Sequence, residues 1–204
     1  MAADGGLSMN RRLWSSIKDV LAPQAALLTQ TDQFIQQAAV MVLITDEPDP
    51  QLVFTLRAKH LTYHPGEVCF PGGMWELQDA TLLASAMRET HEEIGVPPPI
   101  LDVLGALPIR YTRAGTKVTP FVACIPADFV FIPNHHELDI VFTVPLAQLM
   151  AGLQIRVDTF EYHNKKYHIP VYAYQGHEIW GFTAAVTAEL LALLQPLVSV
   201  PPTL

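Results

Sequence analysis

The sequence predicts a single α+β domain, in which helices pack on a mixed or antiparallel β-sheet. Several short apolar runs with strand-like composition alternate with a few amphipathic helical segments. No repeat, low-complexity segment or shift in composition marks a second domain. The 204 residues are 50% hydrophobic, which gives one domain enough apolar material for a substantial core.

The first elements are a helix and a β-hairpin. A helix is predicted over residues 10–22, closed by Pro23, because its apolar side chains recur at helical spacing. Residues 38–45 and 52–57 are strand-like, and the Asp-Glu-Pro-Asp-Pro sequence between them is typical of a turn.

The rest of the chain is predicted to contain five further strands and two helices. The strands are expected at residues 103–111, 117–125, 140–144, 155–162 and 168–174, with Lys165 and Lys166 in a hairpin turn. The helices are expected at residues 80–94, stopped by Gly95, and at residues 183–194, stopped by Pro196. Trp180 and Phe182, just before the last helix, are expected in the core.

Composition excludes several classes of function. The 20 acidic and 12 basic residues give a net charge of −8, which argues against nonspecific binding to nucleic acid or to an anionic membrane. No apolar run is long enough to span a bilayer and no signal peptide is evident, so a cytoplasmic location is expected. Only 16% of residues are charged, which favours self-association as a homodimer.

Acidic residues are concentrated between residues 67 and 93, which hold six acids and one base. On a helix, Glu89, Glu92 and Glu93 share one stripe, where like charges repel. Such a stripe is either a solvated surface or a site for a divalent cation, since Mg²⁺ and Mn²⁺ prefer carboxylate oxygens. The Gly72-Gly73 pair just upstream, which allows close approach of a ligand or ion, favours the cation site.

These residues resemble the signature of the Nudix family. Gly73, Asp79 and the run Arg88-Glu89-Thr90-His91-Glu92-Glu93-Ile94-Gly95-Val96 follow the Nudix box, with two departures. Asp79 stands where Glu is usual, and the gap before Arg88 is one residue longer. Thr90 also replaces an aliphatic residue, although its methyl group can still pack. The resemblance implies an α/β/α sandwich over residues 37–195, preceded by a helical lead-in (1–36) and followed by a tail (196–204).

The longer gap resembles the Nudix subgroup that acts on coenzyme A and its thioesters. That subgroup has a second signature upstream of the box, matched here by Arg57-Ala58, by His64-x-Gly66-Glu67-Val68 and by Phe70-Pro71-Gly72-Gly73. Thr62 and Met74 depart from it, because each replaces an arginine that is usual in the subgroup. The likeness extends over about residues 37–194.

The resemblance also implies roles for individual residues. Glu89, Glu92 and Glu93 match the family's metal ligands, together with the backbone carbonyl of Gly73. Glu89 additionally matches the residue that orients or deprotonates water in some members, and Arg88 would steer the carboxylates by ion pairing.

Several other assignments have two readings. Asp79 either pairs with Arg88 or caps the helix. Glu137 is either a ligand or general base, or an exposed loop acid. Arg57 and Lys59 are candidates for substrate phosphate contacts, as are Arg110, Arg113 and Lys117. His64 either contacts substrate or forms a structural hydrogen bond.

The sequence therefore predicts a Mg²⁺- or Mn²⁺-dependent hydrolase of a small nucleoside diphosphate derivative. Coenzyme A or its thioesters are the expected substrates, giving 3′-phosphoadenosine 5′-phosphate and 4′-phosphopantetheine. Hydrolysis of ADP-ribose or another nucleoside diphosphate derivative is the alternative, which Thr62 and Met74 keep open. A non-catalytic domain that senses a nucleotide is the second alternative.

Overall fold

The computed structural model describes residues 14–21, 36–162 and 165–198, which form eleven strands and four α-helices. The strands are β1 (Gln37–Asp46), β2 (Gln51–Arg57), β3 (Val68–Cys69), β4 (Gly72–Met74), β5 (Asp102–Ala106), β6 (Arg110–Tyr111), β7 (Lys117–Pro126), β8 (Leu138–Pro145), β9 (Gln154–Tyr162), β10 (Lys165–Tyr174) and β11 (His177–Ile179). The helices are α1 (residues 14–21), α2 (Leu82–Ile94), α3 (Leu146–Ala151) and α4 (Gly181–Val198). Pro98–Ile100 forms a short 3₁₀ turn.

The main sheet is mixed and is built around β1. Strands β1 and β7 run parallel over their full lengths, from the Gln37–Lys117 pair to the Asp46–Pro126 pair. The other pairings are antiparallel: β1 with β2 and β4, β2 with β3 and β8, and β7 with β5 and β6. The prediction of a mixed sheet is therefore confirmed.

Strand β1 separates two hydrophobic cores. Its residues Ala39, Met41 and Leu43 face α2 and belong to one buried cluster. Its residues Val42 and Ile44 belong to a second cluster, which includes the buried side chains of α1, α3 and α4. Because both faces of the strand are covered, its sequence is continuously apolar rather than alternating. The α/β/α sandwich is confirmed.

A second, smaller sheet is formed by β9, β10 and β11. It joins the main body at its β11 end, where Ile179 is fully buried. The first turn of α4 then packs against β3, and the hydroxyl of Thr183 donates to the carbonyl of Val68 at 2.9 Å. This contact ties the C-terminal helix to the strand that leads into the Gly72-Gly73 segment.

Two of the predicted element boundaries differ from the structure, and a third can be compared only in part. The run at residues 103–111 is interrupted, because the chain leaves β5 after Ala106 and pairs again only at Arg110. Lys165 and Lys166 lie in β10 and not in the predicted turn, and residues 163–164 lie outside the described residues. Of the predicted first helix, residues 14–21 are helical, while its remaining residues and Pro23 lie outside the described residues.

The prediction that Pro196 stops the last helix is wrong. Helix α4 continues through Pro196 to Val198. Proline removes one backbone donor in this last turn, but Leu193 and Leu197 still pack on the core beside it. The domain boundaries proposed at residues 36 and 195 stay predictions.

The expectation that Trp180 and Phe182 lie in the core is half right. Phe182 packs against the core. Trp180 is 41% exposed, because it occupies the end of the chain segment entering α4 rather than its buried face.

Helix α2 begins at a side-chain cap. Thr81 has an extended backbone, and its hydroxyl accepts a hydrogen bond from the N–H of Ala84 at 3.1 Å. The N-cap is therefore Thr81 and not Asp79, because only Thr81 lies directly before the first helical residue. Gly95 ends the helix with φ = 76°, a left-handed conformation that favours glycine.

Among the described helices, none combines the length and the apolar character that a membrane span requires.

The cap of α2 gives a prediction about stability. Replacing Thr81 by Ala leaves the Ala84 N–H without its side-chain acceptor and should lower the free energy of unfolding by about 1 kcal/mol. Thr81→Ser keeps the hydroxyl and should lose less than half of that amount. Urea unfolding followed by circular dichroism measures both, and equal stabilities of Thr81→Ala and wild type would contradict this account of the helix start.

Candidate active site

The site is built where β4 passes close to α2. Strand β4 pairs with the start of β1 through Gly72–Val40 and Gly73–Ala39. A side chain on residue 72 would overlap the backbone of Ala39, and a side chain on residue 73 would overlap the carboxyl group of Glu89. Glycine at both positions therefore lets the strand lie directly between β1 and the acidic face of α2.

Glu93 is the buried carboxylate of this face. Its residue is only 4% exposed, and one carboxylate oxygen accepts a hydrogen bond from the backbone N–H of Gly72 at 3.2 Å. Burial raises the pKa of Glu93 to about 8, although the Gly72 hydrogen bond and the positive charge of Arg57 oppose the rise. A carboxylate held in this way is favoured as an anion when a cation binds beside it.

Glu89 and Glu92 lie at different depths on the same helix. The side chain of Glu89 is 16% exposed and that of Glu92 is 56% exposed. Burial raises the pKa of Glu89, and the negative charges of Glu92 and Glu137 act in the same direction, against the hydrogen bond from Arg88. Side-chain exposure along the predicted stripe therefore increases from the buried Glu93, through Glu89, to the solvated Glu92.

Arg88 connects these carboxylates. Its guanidinium donates two hydrogen bonds to Asp79, both of 3.0 Å, and further bonds to Glu89 at 2.8 Å and Glu92 at 3.1 Å. It also donates to the carbonyl of Met74 at 3.3 Å. Hydrogen bonds from Arg88 hold the pKa of Asp79 below its usual range. Of the two readings of Asp79, pairing with Arg88 is correct.

Thr90 shows how the site tolerates a departure from the usual sequence. Its side chain is fully buried, and its hydroxyl donates to the carbonyl of Ala86 at 2.6 Å. Because the polar atom is satisfied within the helix, the methyl group can occupy the position of an aliphatic side chain.

Glu137 comes from a loop on the other side of the site. It lies at the end of the loop of residues 134–137, immediately before β8. Its charge contributes to the raised pKa values of both Glu89 and Glu93, so its carboxylate lies within electrostatic reach of theirs. Asn134, which hydrogen-bonds both to the Glu93 carbonyl and to the Glu137 carboxylate, places Glu137 beside the acidic face and not on a remote surface.

Arg57 is the predicted phosphate-binding residue whose position fits best with this face. Its charge acts on both Glu93 and Cys69. Its Nε atom is buried and has no hydrogen-bond acceptor among the described residues. A buried donor without an acceptor is costly, which suits a position that awaits an anionic group.

The other two substrate candidates are on the exposed loop between β2 and β3. His64 has φ = 55°, and its Nδ1 atom lies 2.9 Å from a carboxylate oxygen of Glu67. This contact favours the structural reading of His64. Lys59 is exposed and forms no ion pair with any described residue.

The contacts of Arg110 argue against a phosphate-binding role. Its guanidinium pairs with Glu189 of α4, with contacts of 2.7 and 2.8 Å. It ties β6 to the last helix. No described contact connects Arg113 or Lys117 to the acidic face.

The donor set suits a hard divalent cation. In the described residues, no three His, Cys, Asp or Glu side chains are close enough to form a ready-made metal site. The carboxyl group of Glu89 lies beside Gly73, and Glu93 accepts from the Gly72 N–H. Carboxylates with a backbone carbonyl are the ligands that Mg²⁺ and Mn²⁺ prefer. Burial raises the pKa values of Glu89 and Glu93, with repulsion among the carboxylates as a smaller cause, and a bound cation would favour the ionised form of both.

Asn134 is a site residue that sequence reasoning missed. Its backbone N–H donates to the carbonyl of Glu93 at 2.8 Å, and its side-chain amide donates to Glu137 at 3.2 Å. The only signal in the sequence is that Asn134 stands three residues before a candidate catalytic acid. This spacing is too common in loops to identify Asn134 as a site residue.

Comparison with known proteins agrees with this geometry. The NUDIX domain model matches residues 35–162. The "uncharacterized Nudix hydrolase NudL" of Cronobacter sakazakii is 40% identical over 158 residues, covering 76% of this chain and 81% of the relative. The corresponding protein of an Enterobacter species is 35% identical over 155 residues, with the same coverage.

Solved structures show the same fold at low sequence identity. RenU, a Nudix hydrolase of M. smegmatis, has a TM-score of 0.52 at 18% identity, covering 82% of this chain and 88% of its own. A C. elegans Ap4A hydrolase has a TM-score of 0.51 at 15% identity, covering 81% and 96%.

The buried Glu93 predicts how the stability of the metal-free protein depends on pH. Between pH 4.5 and about 8 the folded state retains a proton that the unfolded chain releases, so the free energy of unfolding should fall as pH rises through this window. The slope from one group is at most about 1.4 kcal/mol per pH unit. Glu93→Gln should remove this part of the slope and stabilise the metal-free protein at pH 8.

Glu92→Gln is the matched control, since Glu92 is adjacent in sequence but exposed. Chemical unfolding in the presence of a chelator, at pH 5 to 8.5, measures the slopes. A Glu93→Gln variant with the slope of the wild type would show that Glu93 is not the buried titrating group.

Proposed function

Since this chain belongs to the Nudix hydrolase family, we propose that it hydrolyses the diphosphate linkage of coenzyme A or its thioesters. The products are 3′-phosphoadenosine 5′-phosphate and 4′-phosphopantetheine. Family membership establishes a hydrolase of phosphoric anhydride bonds. The coenzyme A substrate rests on the upstream signature of residues 57–73 and on how that segment packs.

The single observation that carries the substrate proposal is the position of the upstream signature in the fold. Near its start, Arg57 acts on Glu93 through its positive charge, and its last residues, Gly72 and Gly73, contact Glu93 and Glu89. Between these ends the chain folds back on itself, with the N–H of Arg57 donating to the carbonyl of Glu67 at 3.0 Å. The upstream segment and the Nudix box are therefore in direct contact at Gly72 and Gly73, which supports a shared role in substrate binding.

We assign the cation-binding role to Glu89, Glu92, Glu93 and the carbonyl of Gly73, with Mg²⁺ or Mn²⁺ as the cofactor. When bound, such ions neutralise the diphosphate and acidify a coordinated water molecule. The chain's own contribution is orientation: Arg88 holds Glu89 and Glu92, and the Gly72 N–H holds Glu93. Glu137, across from this face, is the candidate for accepting the proton of the attacking water.

Arg57 is proposed to bind a substrate phosphate. Its unpaired Nε gains an acceptor when an anionic group enters the site, which strengthens binding in a partly buried environment. Lys59 lies on the exposed loop after β2 and would contact the more exposed part of the substrate, whereas His64 is engaged by Glu67.

A second candidate function is hydrolysis of ADP-ribose or another nucleoside diphosphate derivative. It is favoured by Thr62 and Met74, which are exposed uncharged side chains where the coenzyme A subgroup usually carries arginine. Without these two cations, a 3′-phosphate has fewer partners.

The cytoplasmic location and the homodimer also stay predictions.

A substrate panel tests the proposal. Coenzyme A and acetyl-coenzyme A should have a kcat/KM at least about tenfold above those of ADP-ribose, a dinucleoside polyphosphate and 8-oxo-dGTP, corresponding to about 1.4 kcal/mol of transition-state discrimination. Chromatography should detect the two named products. Preference for ADP-ribose would replace the first candidate by the second, and nucleotide binding without turnover would favour a sensing domain.

The cation-binding assignment gives a separate prediction. Glu93→Gln should lower metal-dependent kcat by at least about 100-fold, because it removes a charged ligand worth several kcal/mol of transition-state stabilisation. Asp139→Asn, which neutralises an exposed acid two residues beyond Glu137, should leave kcat within about twofold of the wild type. Circular dichroism checks that both variants fold, and retained activity of folded Glu93→Gln would remove the assignment.

A further inference from the structure

The loop of residues 134–137 is attached to the site at both of its ends. At its start, the backbone N–H of Asn134 donates to the carbonyl of Glu93, at the C-terminal end of α2. At its end, the carbonyl of Glu137 accepts a hydrogen bond of 2.9 Å from the N–H of Ala58, the residue after Arg57. The loop therefore spans from the proposed cation ligands to the proposed phosphate-binding residue.

Within the loop, Asn134 makes the contacts that determine its shape. Its backbone carbonyl accepts from the N–H groups of Glu137 and Leu138, both at 2.9 Å. Its side-chain oxygen accepts from the N–H of His136 at 3.2 Å, which closes a tight turn. With that oxygen occupied, its amide nitrogen is directed to a carboxylate oxygen of Glu137, at 3.2 Å.

The hydrogen bond from the Asn134 side-chain amide to Glu137 is not required to satisfy either group, because water could form the same hydrogen bonds. Glu137 is only half-buried, and its backbone is already held by Asn134 and Ala58. The bond instead restrains the rotamer of a long side chain whose charge acts on both Glu89 and Glu93. Without the restraint, repulsion from those carboxylates would turn Glu137 toward solvent.

We propose that Asn134 is a positioning residue that holds the Glu137 carboxylate beside the acidic face of α2. The inference deepens the proposed function, because it rests on Glu137 taking part in turnover. It adds that the loop of residues 134–137 works as one unit with the α2 face, since Asn134 contacts both Glu93 and Glu137.

Asn134→Asp separates positioning from loop shape. Aspartate keeps an oxygen for the His136 N–H but cannot donate to Glu137, and its charge repels that carboxylate. We expect kcat to fall about tenfold with KM within about twofold of the wild type, as for other residues that orient a catalytic group. Asn134→Ser is the second variant, because its hydroxyl can still accept from His136 while being too short to reach Glu137. His136→Ala, with its exposed side chain removed, is the control within the same loop.

A double-mutant cycle with Glu137→Gln distinguishes the possible failures. If Asn134 acts through Glu137, the double variant should be no slower than Glu137→Gln alone. Additive losses of kcat, or a wild-type kcat for folded Asn134→Asp and Asn134→Ser, would overturn the positioning role and leave the proposed function intact. An unchanged kcat in Glu137→Gln would overturn the role of Glu137 and this inference together. The cycle can be run on whichever panel substrate is turned over.

Discussion

The close packing of α2 on the Gly72-Gly73 segment is the contact on which the rest of the site depends. Neither glycine could carry a side chain, because one faces the backbone of Ala39 and the other faces the Glu89 carboxyl group. This approach lets the Gly72 N–H reach Glu93 and puts the Gly73 backbone beside Glu89. Ala39 of β1 links this segment to the core, because it pairs with Gly73 of β4 and with Thr119 of β7 and belongs to the buried cluster that includes residues of α2.

The arrangement concentrates negative charge at a cost in stability. Burial raises the pKa of Glu93 far above the ordinary value for glutamate, which means that its ionised form is disfavoured in the folded metal-free protein. Such a group is retained where function requires it, and perturbed acids are typical of catalytic sites. Arg88 limits the cost for its neighbours, because one guanidinium contacts three carboxylates at once.

Strong local patterns predicted most of the fold. The apolar run of β1 and the periodicity of α2 are dictated by burial and were predicted to within a few residues. Strands β3 and β4, of two and three residues, could not be predicted because their pairing is imposed by the surrounding sheet. The same holds for Pro196, where packing of neighbouring leucines outweighs the tendency of proline to end a helix. In the site, the acids were visible in the sequence, whereas Asn134 acts through tertiary hydrogen bonds that leave no spacing pattern.

In the folded protein, part of the net charge of −8 is concentrated at the candidate active site. Asp79, Glu89 and Glu92 accept hydrogen bonds from Arg88, and Glu76 lies 3.9 Å from it, so one positive charge faces four acids, and Glu93 adds its own charge when ionised. A surface of this kind repels a diphosphate by itself. With divalent cations on the carboxylates, and with the unpaired Arg57 Nε nearby, the same surface becomes attractive to it. The acidity that argues against a nucleic-acid surface is therefore compatible with a small anionic substrate, provided that the substrate binds through the cation.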